Sequence, residues 1–124
     1  MNWITSHLAK RTQTTISPCW SLVCDVFEDR LGIKLNDYQI NPKNHTAINE
    51  QFHLESQQWD KVDKPNIYDV VVMGRKDIVH HIGVSLGGEE VLHTGEGLLP
   101  RVEKLKELAN IYRIIEFYRY GANS

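Results

Sequence analysis

The spacing of apolar residues changes near the middle of the chain. Trp3, Ile4 and Leu8 have helical spacing and predict a short N-terminal helix. Trp20, Val23, Phe27 and Leu31 predict a second, stronger helix, with Leu22 and Val26 widening its stripe. Ser17 suits its N-cap, Pro18 its first helical position and Gly32 its stop. From 36 to 66 the chain turns polar. Asn41-Pro42-Lys43-Asn44 and Asp63-Lys64-Pro65-Asn66 carry turn chemistry there. This stretch is the one candidate linker, and a weak helical pattern over 47–59 lies inside it.

The second half follows a period of two. A β-branched run over 67–73 predicts a strand, and Gly74-Arg75-Lys76-Asp77 a turn. A second strand over 78–86 ends at Gly87-Gly88, and a third covers 90–93. A short helical or irregular crossing over 102–110 leads to a last strand over 111–120. Helices first and an antiparallel sheet afterwards predict an α+β fold, with one domain over 1–124.

Composition agrees with a folded domain. The 124 residues are 41% hydrophobic and 24% charged, with a formal net charge of -2. A strong nucleic-acid binder would carry a basic excess, so no nucleic-acid partner is expected. No apolar run approaches the roughly 20 residues of a bilayer span, so membrane insertion is not expected. Polar residues break the stretch from Met1 to Leu8, unlike a secretory signal. Synthesis in the cytoplasm without a signal peptide is the expectation.

Cys19 and Cys24 sit on one predicted helix, five residues apart. That offset turns them to different sides with Cα atoms roughly 8 Å apart, too far for a disulfide. Both are expected as free thiols. Cys24 lies inside the helix and reads as structural. Cys19 lies in the first turn, where unpaired N–H groups and the helix dipole stabilise a thiolate. The same N–H groups suit the oxyanion of a tetrahedral intermediate. Cys19 is therefore the candidate nucleophile.

Of six histidines, His80, His81 and His93 lie on two strands joined by the Gly-Gly connection. Strict alternation puts Ile78, His80, Ile82, Val84 and Leu86 on one face, expected to cover the core. Val79, His81, Gly83 and Ser85 then share the other face. Its small residues are expected to leave room for the Cys19 helix terminus and a substrate. His81 and His93 share a face only if the connection has an odd number of residues. Gly87-Gly88-Glu89 with a left-handed glycine satisfies that condition. His81 would then act as general base and later acid, with His93 fixing its tautomer.

Cys19-Trp20-Ser21-Leu22-Val23, Tyr68-Asp69-Val70-Val71-Val72-Met73, His81-Ile82-Gly83-Val84 and Leu92-His93 resemble, in order, the blocks of the NlpC family of papain-like cysteine peptidases. Leu31-Gly32-Ile33-Lys34-Leu35 and Asp37-Tyr38 are similar to its phage tail branch. The resemblance runs from about Trp3 to Tyr120. It implies a papain-like domain in which the Cys helices pack on a sheet carrying the histidines. It also implies a Cys19, His81, His93 triad, no cofactor and no metal. Trp20, Ser21 and Gly83 are the implied substrate-binding positions. The implied substrate is the stem peptide of bacterial cell walls, with other phage tail-tip proteins as partners and the virion as location. The chain departs from the family pattern at Pro18, Ser21 and Tyr68, where Asp, Gly and Gly are usual. It also lacks the upstream Tyr that completes the oxyanion hole, leaving His7 or Thr15 as stand-ins.

Three other readings stay open. One is a structural tail or adaptor protein that keeps the fold without turnover. Another is a zinc site of Cys19, His81 and His93 with His80 nearby; thiolate and imidazole suit zinc, although the spacing has no tight ligand pair. The last is a lipid acyltransferase or thioesterase of the related permuted branch, in which His precedes Cys. Aromatic residues such as Trp59, Tyr38 and Tyr112 read as core or rim packing, and Glu89, Glu90 and Glu96 as solvated charges.

Overall fold

A computed structural model describes residues 2–8, 18–41, 43–94 and 99–121. The helices are α1 (Asn2–Leu8), α2 (Pro18–Leu31), α3 (His45–Glu55) and α4 (Leu105–Leu108). The strands are β1 (Trp59–Val62), β2 (Val70–Arg75), β3 (Ile78–Ser85), β4 (Glu90–His93), β5 (Arg101–Lys104) and β6 (Ile114–Tyr120). The strands form one antiparallel sheet in the order β1-β6-β2-β3-β4-β5. The expected α+β class holds. None of the described helices is long and apolar enough to cross a membrane.

Local chemistry sets the helix ends. Gly32 adopts φ +67°, and the N–H groups of Gly32 and Ile33 donate back to the Glu28 and Phe27 carbonyls at 3.2 Å each. This left-handed cap ends α2 where the pattern predicts. Ser17, the expected N-cap, and Pro42 of the predicted turn lie outside the described residues. Asn44 caps α3 by accepting the Ala47 N–H at 3.1 Å. The stretch expected as a linker therefore holds α3, a single 3-10 turn (Ser56–Gln58) and β1. β1 was hidden because only Trp59 of its four residues is buried, and its partner β6 lies far along the chain. The crossing over 102–110 likewise divides into β5 and α4, and β6 begins three residues later than expected.

The sheet buries both faces. Trp20, Val23, Val26 and Phe27 of α2 pack with Val70, Val72, Ile82, Val84 and Leu92. A smaller cluster on the opposite face joins Val71, Met73 and Val91 to Leu108 of α4. The expectation that Ile82, Val84 and Leu86 cover the core is met, but α2 lies over that face. The expectation that the Cys19 helix covers the His81, Gly83 and Ser85 face is corrected.

A bulge corrects the strict alternation as well. Met73 pairs with His81, but Gly74 pairs with Val79, leaving His80 as the extra residue. Val79 consequently turns into the α2-side core rather than onto the face of His81. Gly74 allows this because a Cβ there would lie 2.1 Å from the Ile78 carbonyl oxygen and 2.9 Å from the Val79 Cα. Gly74→Ala therefore forces the two backbones apart, and a loss of about 2–3 kcal/mol is expected. Urea denaturation checks this: the midpoint should fall with the slope unchanged. A loss below about 0.5 kcal/mol would show that the bulge tolerates a methyl.

Candidate active site

Cys19 occupies the second position of α2 and is buried, at 8% exposure. The N–H groups of Cys19, Trp20 and Ile82 favour charge on its sulfur. The direction of Ile82 follows from the ladder. Ser85 exchanges both backbone hydrogen bonds with the Tyr68–Asp69 segment, so its alternate neighbours Val84 and Ile82 turn their N–H groups the other way. On that side β4 pairs with β3 only at Val84 and Ser85. The sulfur thus meets β3 along its edge, although α2 and His81 belong to opposite faces.

Burial nevertheless dominates the thiol. It pushes the Cys19 thiol upward, outweighing the three N–H groups, and Asp37 adds to the push. The expectation of a thiolate stabilised by the helix terminus is corrected for this resting state, because the N-terminus lies inside the core. Ser21 donates to Asp37 at 2.8 Å and so holds that carboxylate nearby. Cys24 is half-buried with its thiol pushed up to about 12, mainly by desolvation. Both cysteines are free.

The connection between β3 and β4 is Gly87-Gly88-Glu89. Leu86 N–H donates to the Glu90 carbonyl at 2.9 Å, and both glycines have positive φ. The odd count puts His81 and His93 on one face, with Nε2 of His81 2.8 Å from Nδ1 of His93. His93 is 1% exposed. Its Nε2 lies 2.7 Å from Glu103 Oε1, and the same oxygen accepts from Arg101 Nε at 2.8 Å. Tyr112 stacks on His81 with centroids 5.7 Å apart and planes at 16°. The bulged His80 packs on His45 at 4.4 Å and also contacts Tyr112 at 5.8 Å.

Gly83 has a defined steric task. A Cβ there would lie 2.8 Å from Val91 Cγ1 and 3.0 Å from His93 Cβ. The expected open space at Gly83 is therefore filled by β4, and the glycine lets His93 close on His81. Trp20 donates to the Asn36 carbonyl at 2.6 Å and stacks on Tyr38. It lines, with Cys19, Ile48, Phe52 and Ile82, an apolar groove on the α3 side. Tyr38 and Trp59 both donate to Glu55 at that groove. Ser21 is buried against Asp37, not exposed at a surface.

One of the two stand-ins for an upstream tyrosine, His7, lies away from the site. His7 bonds Asp29 at 3.2 Å, ten residues beyond Cys19 on α2, about 15 Å along the helix. Thr15 lies outside the described residues, as does Glu96. Among the described residues no group of three or more His, Cys, Asp or Glu side chains is arranged to hold a metal. Glu103 and Arg101 were missed from sequence, and Tyr112 was read there as core or rim packing. Glu103 had one available signal, its place on a strand beside His93, but β5 was not recognised as a strand.

Burial also governs the imidazoles. It lowers His81 to about 3, helped by His93, His80 and Arg101 and opposed by Glu103. Burial lowers His93 too, against the hydrogen bond of Glu103. The unfolded His81 titrates near 6.5. Between these values the unfolded chain holds a proton that the folded chain does not, so stability falls as pH falls through the window. It is fully present above about 6.5. The urea midpoint should therefore drop from pH 6.5 toward 4, and less steeply in His81→Ala. Equal slopes in the two proteins would remove His81 as the cause.

No curated protein sequence matches the chain. A family model described as the NlpC/P60 family matches residues 11–112 of the 124. The matched span holds Cys19, the bulged strand, the hydrogen-bonded His81 and His93 and also Glu103, and the protein belongs to the NlpC/P60 family.

Proposed function

We propose that the protein is a cysteine peptidase that cleaves peptide bonds in the stem peptides of bacterial cell walls, with Cys19 as nucleophile, His81 as base and His93 as orienter. Membership of the NlpC/P60 family suggests cell-wall peptidase activity, typically of the cysteine peptidase or amidase type. One observation carries the assignment of roles. His81 Nε2 is engaged by His93, which leaves Nδ1 of His81 for the thiol, on the strand whose Ile82 N–H serves the Cys19 sulfur.

The steps follow from that arrangement. His81 Nδ1 takes the thiol proton as Sγ attacks the scissile carbonyl, and a C–S bond forms. The oxyanion is within the field of the N–H groups at the start of α2. The tetrahedral intermediate collapses, the C–N bond breaks, and His81 returns its proton to the leaving amine. Water then attacks the thioester while His81 takes one of its protons. The acid leaves, and the proton restores the thiol. The resting pair is a neutral thiol and a neutral imidazole, so proton transfer accompanies attack.

The setting we propose is a phage tail, in contact with other tail-tip proteins. It rests on the likeness of Leu31-Gly32-Ile33-Lys34-Leu35 and Asp37-Tyr38 to that branch. The raised thiol favours a second reading, in which the fold serves tail assembly without turnover. Digestion of purified peptidoglycan separates the two. Release of stem-peptide fragments is expected from the native protein, with Cys19→Ala and His81→Ala reduced by at least about 10³-fold. A native protein as inert as Cys19→Ala would leave only the assembly reading.

A further inference from the structure

The face that carries His81 holds an ionic pair that a Cys-His-His description does not use. Glu103 and Arg101 lie on β5, opposite Val91 and His93 of β4. Their side chains share one oxygen: Glu103 Oε1 accepts from Arg101 Nε at 2.8 Å and lies 2.7 Å from His93 Nε2. We infer that Glu103 is a positioning residue that sets the tautomers of both imidazoles, and that Arg101 limits its strength. This rests on the roles proposed for Cys19, His81 and His93.

The chain of protons follows from valence. Arg101 and His93 both hold the Glu103 carboxyl below its usual range, so it is ionised and can only accept. His93 must therefore carry its proton on Nε2. Neutral His93 then has a bare Nδ1, which can only accept. His81 must donate to it from Nε2 at 2.8 Å. Neutral His81 is left with a lone pair on Nδ1, the tautomer that a base facing Cys19 needs. One carboxylate thus orients two rings in series.

The same carboxylate favours a positive charge on the pair once a proton arrives. Glu103 raises both His81 and His93, while burial lowers them. The other groups facing the pair are His80 of β3, Arg101 of β5 and Tyr112 before β6, and Cys19 of α2 acts on Tyr112. Arg75 lies over the Tyr112 ring, 5.4 Å from its centroid. His80 and Arg101 oppose protonation of His81, and Glu103 is the carboxylate that supports it. Arg101 shares the accepting oxygen, so its removal frees Glu103 to act more strongly on His93.

Alkylation of Cys19 by iodoacetamide across pH tests this on the full chain, without any substrate. Near pH 7 the rate depends on transfer of the thiol proton to His81. Well above the thiol titration the thiolate forms without that help. Glu103→Gln should lower the neutral-pH rate about three- to tenfold and leave the high-pH rate unchanged. Arg101→Gln should raise the neutral-pH rate. Nitrogen-15 spectra of the imidazoles should place the His81 proton on Nε2 in the native protein and show mixed tautomers in Glu103→Gln. His81→Ala separates the two levels. If it leaves the profile unchanged, the Cys19–His81 pairing itself fails. If it changes the profile while Glu103→Gln and Arg101→Gln do not, the pairing stands and the role of Glu103 is overturned. A fall at all pH values in Glu103→Gln would assign it to structure alone and equally overturn the inference.

Discussion

The register between β3 and β4 is the constraint on which the site depends. Val84 stands opposite Leu92 and Ser85 opposite Val91, which carries Gly83 to the level of His93. His81 lies two residues further along the same face, so the imidazoles meet on the diagonal. A two-residue connection would turn His93 to the opposite face, because side chains alternate strictly along a strand. Gly87 and Gly88, both with positive φ, permit the three-residue connection. Gly83 then permits the close approach, since His93 Cβ occupies the space that a side chain would fill. Glycines at three places thus support one imidazole contact.

The bulge adds a second adjustment. Without the extra residue at His80, Val79 would face His81 and the α2-side core would lose it. With the bulge, Val79 fills the core beneath α2, while His80 and His81 both contact Tyr112. The core is served by one side of the strand and the chemistry by the other. α2 nonetheless delivers Cys19 to the β3 edge, because its first turn reaches past the point where β4 stops pairing.

Electrostatics at the site are set mainly by burial. The helix terminus alone would favour a thiolate, and solvent-exposed imidazoles would share a proton near neutrality. Enclosed together, both groups favour their neutral forms. Charge then appears only during transfer, and groups that favour it at that moment gain weight in a low dielectric. The carboxylate at the end of the imidazole pair is placed to do this, and Arg101 shares its Oε1.

Much of this was legible from local pattern. The stop at Gly32, the strong α2, the β-branched strands and the hairpin parity all depend on neighbours in sequence, and each is found in the structure. The four blocks of residues around Cys19, Asp69, His81 and His93 were enough to point to the family. Several features were not legible because their causes are distant. β1 is a strand only because β6 pairs with it, and α2 covers one sheet face rather than the other because Val70, Val72 and Ile82 are apolar together. The thiol is raised rather than lowered because the sheet and α3 close around it. Glu103 reaches His93 only through the pairing of β5 with β4. Sequence by itself determined α2, the strands β2 to β4, their order and the shared face of His81 and His93, since these follow from period, turn chemistry and parity. Tertiary structure alone decided which face each element covers, how strongly the site is desolvated and which carboxylate completes it, since those depend on contacts between residues far apart in the chain.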